Sequence, residues 1–164
     1  MRSLFSFPNP VNEVSARLVA AGVVFLTLAI LVAQQPWLIG FLAYGFVARA
    51  LSGPTLSPLG QLVTRVVTPR LGVEARLVAG PPKRFAQGIG ATLSLAAAVA
   101  HFGFGATTVA YVLVGAITIA ATLESAIGFC LGCKIFAMLM RVGVVPEEVC
   151  EACNNLALRR PVAA

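Results

Sequence analysis

Charged side chains are scarce in this chain. Asp, Glu, Lys and Arg make up 11% of its 164 residues, against about 25% in soluble domains. Hydrophobic residues make up 59%. A soluble fold of this size has no interior large enough for so much apolar surface, so a bilayer must serve as part of the solvent. Aspartate is absent and the long apolar stretches hold a single glutamate, Glu124, which weakens any ion-pump reading. There is one histidine, His101, so a histidine cluster for metal is excluded. Phosphate-binding P-loops, G-x-G-x-x-G after a strand, H-E-x-x-H and G-x-S-x-G are all missing, which removes the common nucleotide, zinc-hydrolase and serine-hydrolase signatures. The first residues lack the apolar core of a secretory signal, so the apolar run from Leu18 is read as a retained helix.

Four spans account for the apolar residues. Leu18 to Ala48 carries no charge, too long for one span of about 20 residues. Gln34-Gln35-Pro36-Trp37 divides it with polar groups, a helix breaker and an interfacial aromatic. Helix 1 is predicted near 12–34, with Asn9-Pro10 as its start, and helix 2 near 36–51. Phe85 to Leu123 is again free of Asp, Glu, Lys and Arg, and His101–Gly105 is its natural turn. That gives helix 3 near 83–101 and helix 4 near 106–129. The fold class is therefore an all-α, polytopic membrane domain spanning 1–164, with helices in two hairpins and short helices in a cysteine-bearing tail, 130–164. In the loop 52–82, Leu59, Leu62, Val63, Val66 and Val67 recur at helical spacing, and Gln61, Thr64, Arg65 and Thr68 fall opposite. This marks an amphipathic helix, lying in the interface or packed on the end of the bundle. Gly88, Thr92, Ala96 and Ala100, and Ala116, Ala120, Glu124 and Gly128, form rows at four-residue spacing. Such rows suit close helix packing within a chain or in a homo-oligomer.

The basic residues set the topology. All 12 Lys and Arg fall before helix 1 or in its first turns, between helices 2 and 3 or at their facing ends, or after helix 4. The turns at 34–37 and 101–105 have none. The positive-inside rule places both termini, the 52–82 loop and the tail in the cytoplasm. The net charge of +6 then belongs to the membrane face, and no nucleic-acid partner is called for.

All four cysteines lie in the tail, as Cys130-Leu131-Gly132-Cys133 and Cys150-Glu151-Ala152-Cys153. Two C-x-x-C pairs separated by 16 residues match a four-thiolate zinc spacing. In that reading Gly132 permits the tight turn of a metal knuckle, and the helix after Cys133 folds back toward one starting at Pro146. The same pairs suit dithiol chemistry, in which Cys130 and Cys133 cycle between thiol and disulfide and Cys150 and Cys153 exchange with them. Lys134 beside the first pair favours thiolate there. A reducing cytoplasm disfavours a purely structural disulfide. Glu124 is the third candidate. An intramembrane carboxylate suits proton handling or a small transporter, or it is neutralised by a loop arginine such as Arg84. On an unbroken helix it would lie about 240° from Cys130.

Arg49-Ala50-Leu51-Ser52-Gly53-Pro54, Pro82-Lys83-Arg84-Phe85-Ala86-Gln87-Gly88 and Gly128-Phe129-Cys130-Leu131-Gly132-Cys133-Lys134 resemble an uncharacterised family of small four-span bacterial membrane proteins, common in actinobacteria. The resemblance covers most of residues 5–155. It implies a plasma-membrane protein linked to thiol or sulfur metabolism, with thioredoxin-like or rhodanese-like partners. Three functions follow as expectations: thiol-redox or sulfur relay through Cys130 and Cys133; a non-enzymatic protein with structural zinc on Cys130, Cys133, Cys150 and Cys153; or a transporter or assembly subunit using Glu124.

Overall fold

The computed structural model describes residues 7–146 and 149. Four helices form the body: α1 (Glu13–Ala33), α2 (Trp37–Ser52), and, beyond a long loop, two that are named α5 (Gly80–Ala98) and α6 (Thr107–Ile127). The loop carries the short helices α3 (Pro58–Leu62) and α4 (Thr68–Leu71), and α7 (Leu131–Arg141) follows α6. A two-residue antiparallel pairing of β1 (Val11–Asn12) with β2 (Leu77–Val78) ties the entry of α1 to the entry of α5. α1, α6 and the 24-residue stretch Gly80–Gly103 are long and apolar enough to cross a membrane. α2 is apolar but has 16 residues, a length of about 24 Å at 1.5 Å per residue.

Sequence explains the helix ends. Asn12, not Asn9, caps α1 by accepting a hydrogen bond from the Val14 N–H at 3.0 Å. Asn9 Oδ1 instead accepts from the Gly80 N–H and so supports the start of α5. α5 begins three residues before the predicted 83, because Pro81 and Pro82 sit in its first turn, where their missing N–H costs nothing. α1 ends at Ala33 and is capped by Gln34, which adopts φ 49°. α5 runs into a π-helical turn, Val99–Gly103, which overlaps the turn predicted at 101–105, and α6 starts at Thr107.

The core does not follow the small-residue rows. α1 packs chiefly on α6 and α2 on α5, with α5 also against α6. Helices joined by short turns are thus not the main packing partners. Ile30, Ile39, Leu42, Ala97, Ala110 and Val114 meet at the centre. On α5 the inward face is Gly90, Ala91, Ser94 and Ala97, whereas Thr92 and Ala96 of the anticipated row are exposed. Four-residue spacing finds a face but does not say which way it points. The close approach occurs at Gly90, where a Cβ would stand 2.3 Å from the Phe46 ring. On α6, Ala110, Val114, Ile117 and Ala121 are buried.

The loop helix lies against the bundle end. Leu59 sits under Gly22 of α1, 2.7 Å from where a Cβ would be. Val63 and Gly60 are buried, and Thr68 bonds Ser15 at 2.9 Å. Leu62, assigned to the apolar face by spacing, is exposed. A π-helical turn follows at Val63–Val67. Pro69 follows it and has no N–H to give to an ordinary helical ladder.

Candidate functional site

The site is built where α6 ends. Gly128 takes φ 70°, a left-handed conformation that glycine reaches at least cost. Its N–H bonds the Glu124 carbonyl at 3.0 Å. Arg17 of α1 donates to the carbonyls of Ser125, at 3.1 and 3.3 Å, and of Ala126, at 2.8 Å. These would otherwise be unmet acceptors at the helix end. The chain turns, and two residues later Cys130 caps α7. Cys130 is in extended backbone, and its Sγ accepts from the Cys133 N–H at 3.3 Å. This is the place usually held by Ser, Thr, Asp or Asn.

Cys130 and Cys133 are joined as a disulfide, with their Cα atoms 5.2 Å apart. The bond staples the first turn of α7. Cys130 is 7% exposed and Cys133 is half-buried. Gly132 makes no tight turn. It is helical, and a Cβ there would lie 2.6 Å from Ala86 Cα, so its role is to let α7 lie directly on α5. Phe136 completes the docking, buried with its ring 5.5 Å from that of Phe85. Lys134 projects near the Phe129 ring, at 5.9 Å.

Two cavities meet at the disulfide. An open groove of about 1190 Å³ is lined by both cysteines together with Arg76, Lys83, Lys134 and Arg141 and the carboxylates Glu13 and Glu74. On the other side, a cavity of about 190 Å³ between the helices is lined by Cys130, Glu124, Val23, Phe46, Gly90 and Ile117. Cys133 borders the groove alone; Cys130 borders both. The turn at Gly128 removes the angular separation that an unbroken helix would impose, so Glu124 and Cys130 share one cavity wall.

A model of the DUF4395 family, a domain of unknown function, matches residues 11–141. The chain belongs to the DUF4395 family. No curated protein and no solved structure matches it. The DUF4395 match contains Cys130 and Cys133 and stops before Cys150 and Cys153. The latter two, with most of the helix predicted from Pro146, lie outside the described residues. Among the described residues no three His, Cys, Asp or Glu side chains gather as a metal site.

Glu124 is neutralised by Lys83, whose Nζ is 2.5 Å from Oε1, with 11% and 16% of the Lys83 and Glu124 side chains exposed. The anticipated Arg84 turns away and donates to the Ala50 carbonyl at 3.0 Å. Adjacent residues on α5 differ by about 100° in direction, and the inward one of the pair is the lysine. His101 is half-buried in its turn, with its ring edge-on to Phe102. Three polar side chains of this end of the DUF4395 domain escaped sequence reasoning: Arg17, Lys83 as the partner of Glu124, and Arg49. The signal for Arg49 was present, since it is the first charged residue after the uncharged run from Leu18.

Proposed function

We propose that this DUF4395 protein is a thiol–disulfide exchange protein of the bacterial plasma membrane, working through Cys130 and Cys133. The observation that carries this reading is the pairing of the two sulfurs on the first turn of α7, with Cys133 the more exposed and bordering an open groove. An incoming thiolate from a partner dithiol attacks Cys133 Sγ. The S–S bond breaks and its electron pair goes to Cys130 Sγ. That thiolate is stabilised by the Cys133 N–H and the positive end of α7. The partner's second thiolate then attacks its own sulfur in the mixed disulfide and releases Cys133. The outcome is a dithiol on this chain and a disulfide on the partner, a two-electron exchange.

The membrane arrangement that goes with this reading has four spans, with α2 as the short one, and both termini, the groove and α7 at the cytoplasmic face. The partner is a thioredoxin-like protein. A rhodanese-like donor would use the same geometry for sulfur relay, passing a sulfane sulfur to the Cys133 thiolate and leaving as a thiolate itself. The distribution of all the basic residues supports the orientation. A reporter fused after Ala164 should be active in the cytoplasm, and activity only on the outer side would overturn it.

The deciding experiment mixes the protein, purified in mild detergent, with a reduced thioredoxin-type dithiol while thiols and metal are counted. Wild type should titrate reversibly by two electrons at Cys130–Cys133. With a partner whose single active-site cysteine already carries an aromatic thiol as a mixed disulfide, Cys130→Ser should capture the partner through the Cys133 thiolate as the aromatic thiol leaves, and Cys133→Ser should capture none. Stoichiometric zinc with thiols silent until chelation, or equal trapping by both variants, would sink the proposal.

A further inference from the structure

Arg49 is a buried cation that the redox chemistry does not use. It stands on the last turn of α2 with 5% of its surface exposed. Its Nε donates to Gln87 Oε1 at 3.0 Å and its Nη1 to Ser57 Oγ at 3.2 Å. Its guanidinium lies 4.6 Å from the centroid of the Phe46 ring. Nη2 is buried and has no hydrogen-bond partner among the described residues.

No carboxylate neutralises this charge among the described residues. Glu13 is paired with Arg76 and Glu124 with Lys83. A buried charge without a counter-charge is among the costliest arrangements in a fold. It becomes intelligible when the counter-charge arrives from outside. Arg49 lines a cavity of about 530 Å³, separate from the disulfide and without a carboxylate in its walls. Gln87, Thr64 and Thr68 supply polar groups there, and Pro8, Val11 and Pro54 supply apolar surface. Nη2 is shut from solvent, so a ligand in the cavity engages it only once the guanidinium has turned toward the cavity. Gly45 lets the guanidinium lie close against α2, since a Cβ at that position would stand 3.2 Å from Nη1.

We infer that this cavity binds a phosphate-type oxyanion on Arg49, with any apolar portion of the molecule lying along the proline and valine walls. The same headgroup chemistry can come from an anionic phospholipid or from a free phosphate. Arginine favours such oxyanions because its planar fork offers fixed N–H donors.

The test is thermal unfolding of the full chain in a neutral detergent at high salt. The added probes are phosphatidylglycerol, phosphatidylcholine and inorganic phosphate in turn. High salt screens the exposed arginines but acts weakly on a buried site. Phosphatidylglycerol or inorganic phosphate should raise the midpoint by several degrees and phosphatidylcholine should not. A rise with phosphatidylglycerol alone assigns a lipid headgroup, and a rise with inorganic phosphate assigns a soluble ligand. Arg49→Gln should lose the rise, Arg49→Lys should keep part of it, and the exposed Arg70→Gln should keep all of it. If Arg49→Gln does not fold, the comparison of Arg49→Lys with Arg70→Gln decides. No rise in the wild type with either anionic probe, or an undiminished rise in the available Arg49 variant, overturns the inference.

Discussion

The two ends of the helical bundle are built differently. At the end bearing the disulfide, side chains from distant parts of the chain hold the helices: Arg17 on the α6 carbonyls, Arg49 on Gln87 and Ser57, Lys83 on Glu124. The other end is closed by short turns at Gln34–Pro36 and at the π-helical Val99–Gly103. Its polar contacts there are local, such as Trp37 Nε1 to Gln35 Oε1 at 3.2 Å. Local turns need no tertiary partner, whereas buried charges tolerate little displacement. The disulfide therefore rests on the end with the more exacting geometry, as a site that must hold two sulfurs in register requires.

This contrast can be broken most sharply at Glu124. Glu124→Gln leaves Lys83 charged and largely buried, and should cost about 3–5 kcal/mol, the loss typical of removing one partner of a buried pair. Unfolding by SDS titration in mixed micelles checks it. The double variant Lys83→Met with Glu124→Leu should recover much of that loss. Gly132→Val tests the seat of α7. Its added carbons collide with Ala86, and the overpacking should cost about 1–3 kcal/mol. Faster reaction of Cys130 with alkylating reagents after reduction would report the lifting of α7. The smallest effect belongs to the far end. Gln34→Gly removes a side chain from a left-handed conformation and should stabilise by up to about 1 kcal/mol, with thiol reactivity unchanged. A change in thiol reactivity from Gln34→Gly would mean that the two ends are not independent.

The far end was also the easier to read from sequence. Uncharged runs interrupted by Gln34-Gln35-Pro36 and His101–Gly105 place the four long helices within a few residues, because turn chemistry is local. Legibility failed where long-range contacts decide. Pro81 and Pro82 delay a helix in a list of breakers but open one when Asn9 arrives to bond Gly80. Gly132 has the spacing of a metal knuckle, and only the nearness of Ala86 reveals a packing glycine. Glu124 was legible as a candidate, but its partner was not, since Lys83 and Arg84 are neighbours in sequence and face different ways. The C-x-x-C pair at 130 and 133 was legible as a unit; its place as the cap of α7 depended on Gly128 ending α6.

The pairing of α1 with α6 sets an order in time. α1 ends at Ala33 and α6 begins at Thr107, so the first helix made finds its main neighbour in the last long helix made. At roughly 5–20 residues per second the ribosome needs about 4–15 s to cross that interval. During it α1 has only minor contacts to make, while α2 and α5 can already associate. A chain halted before α6 would leave the inner face of α1 open to whatever helix lies nearest, which makes the final span the step that commits the newborn protein to its own architecture.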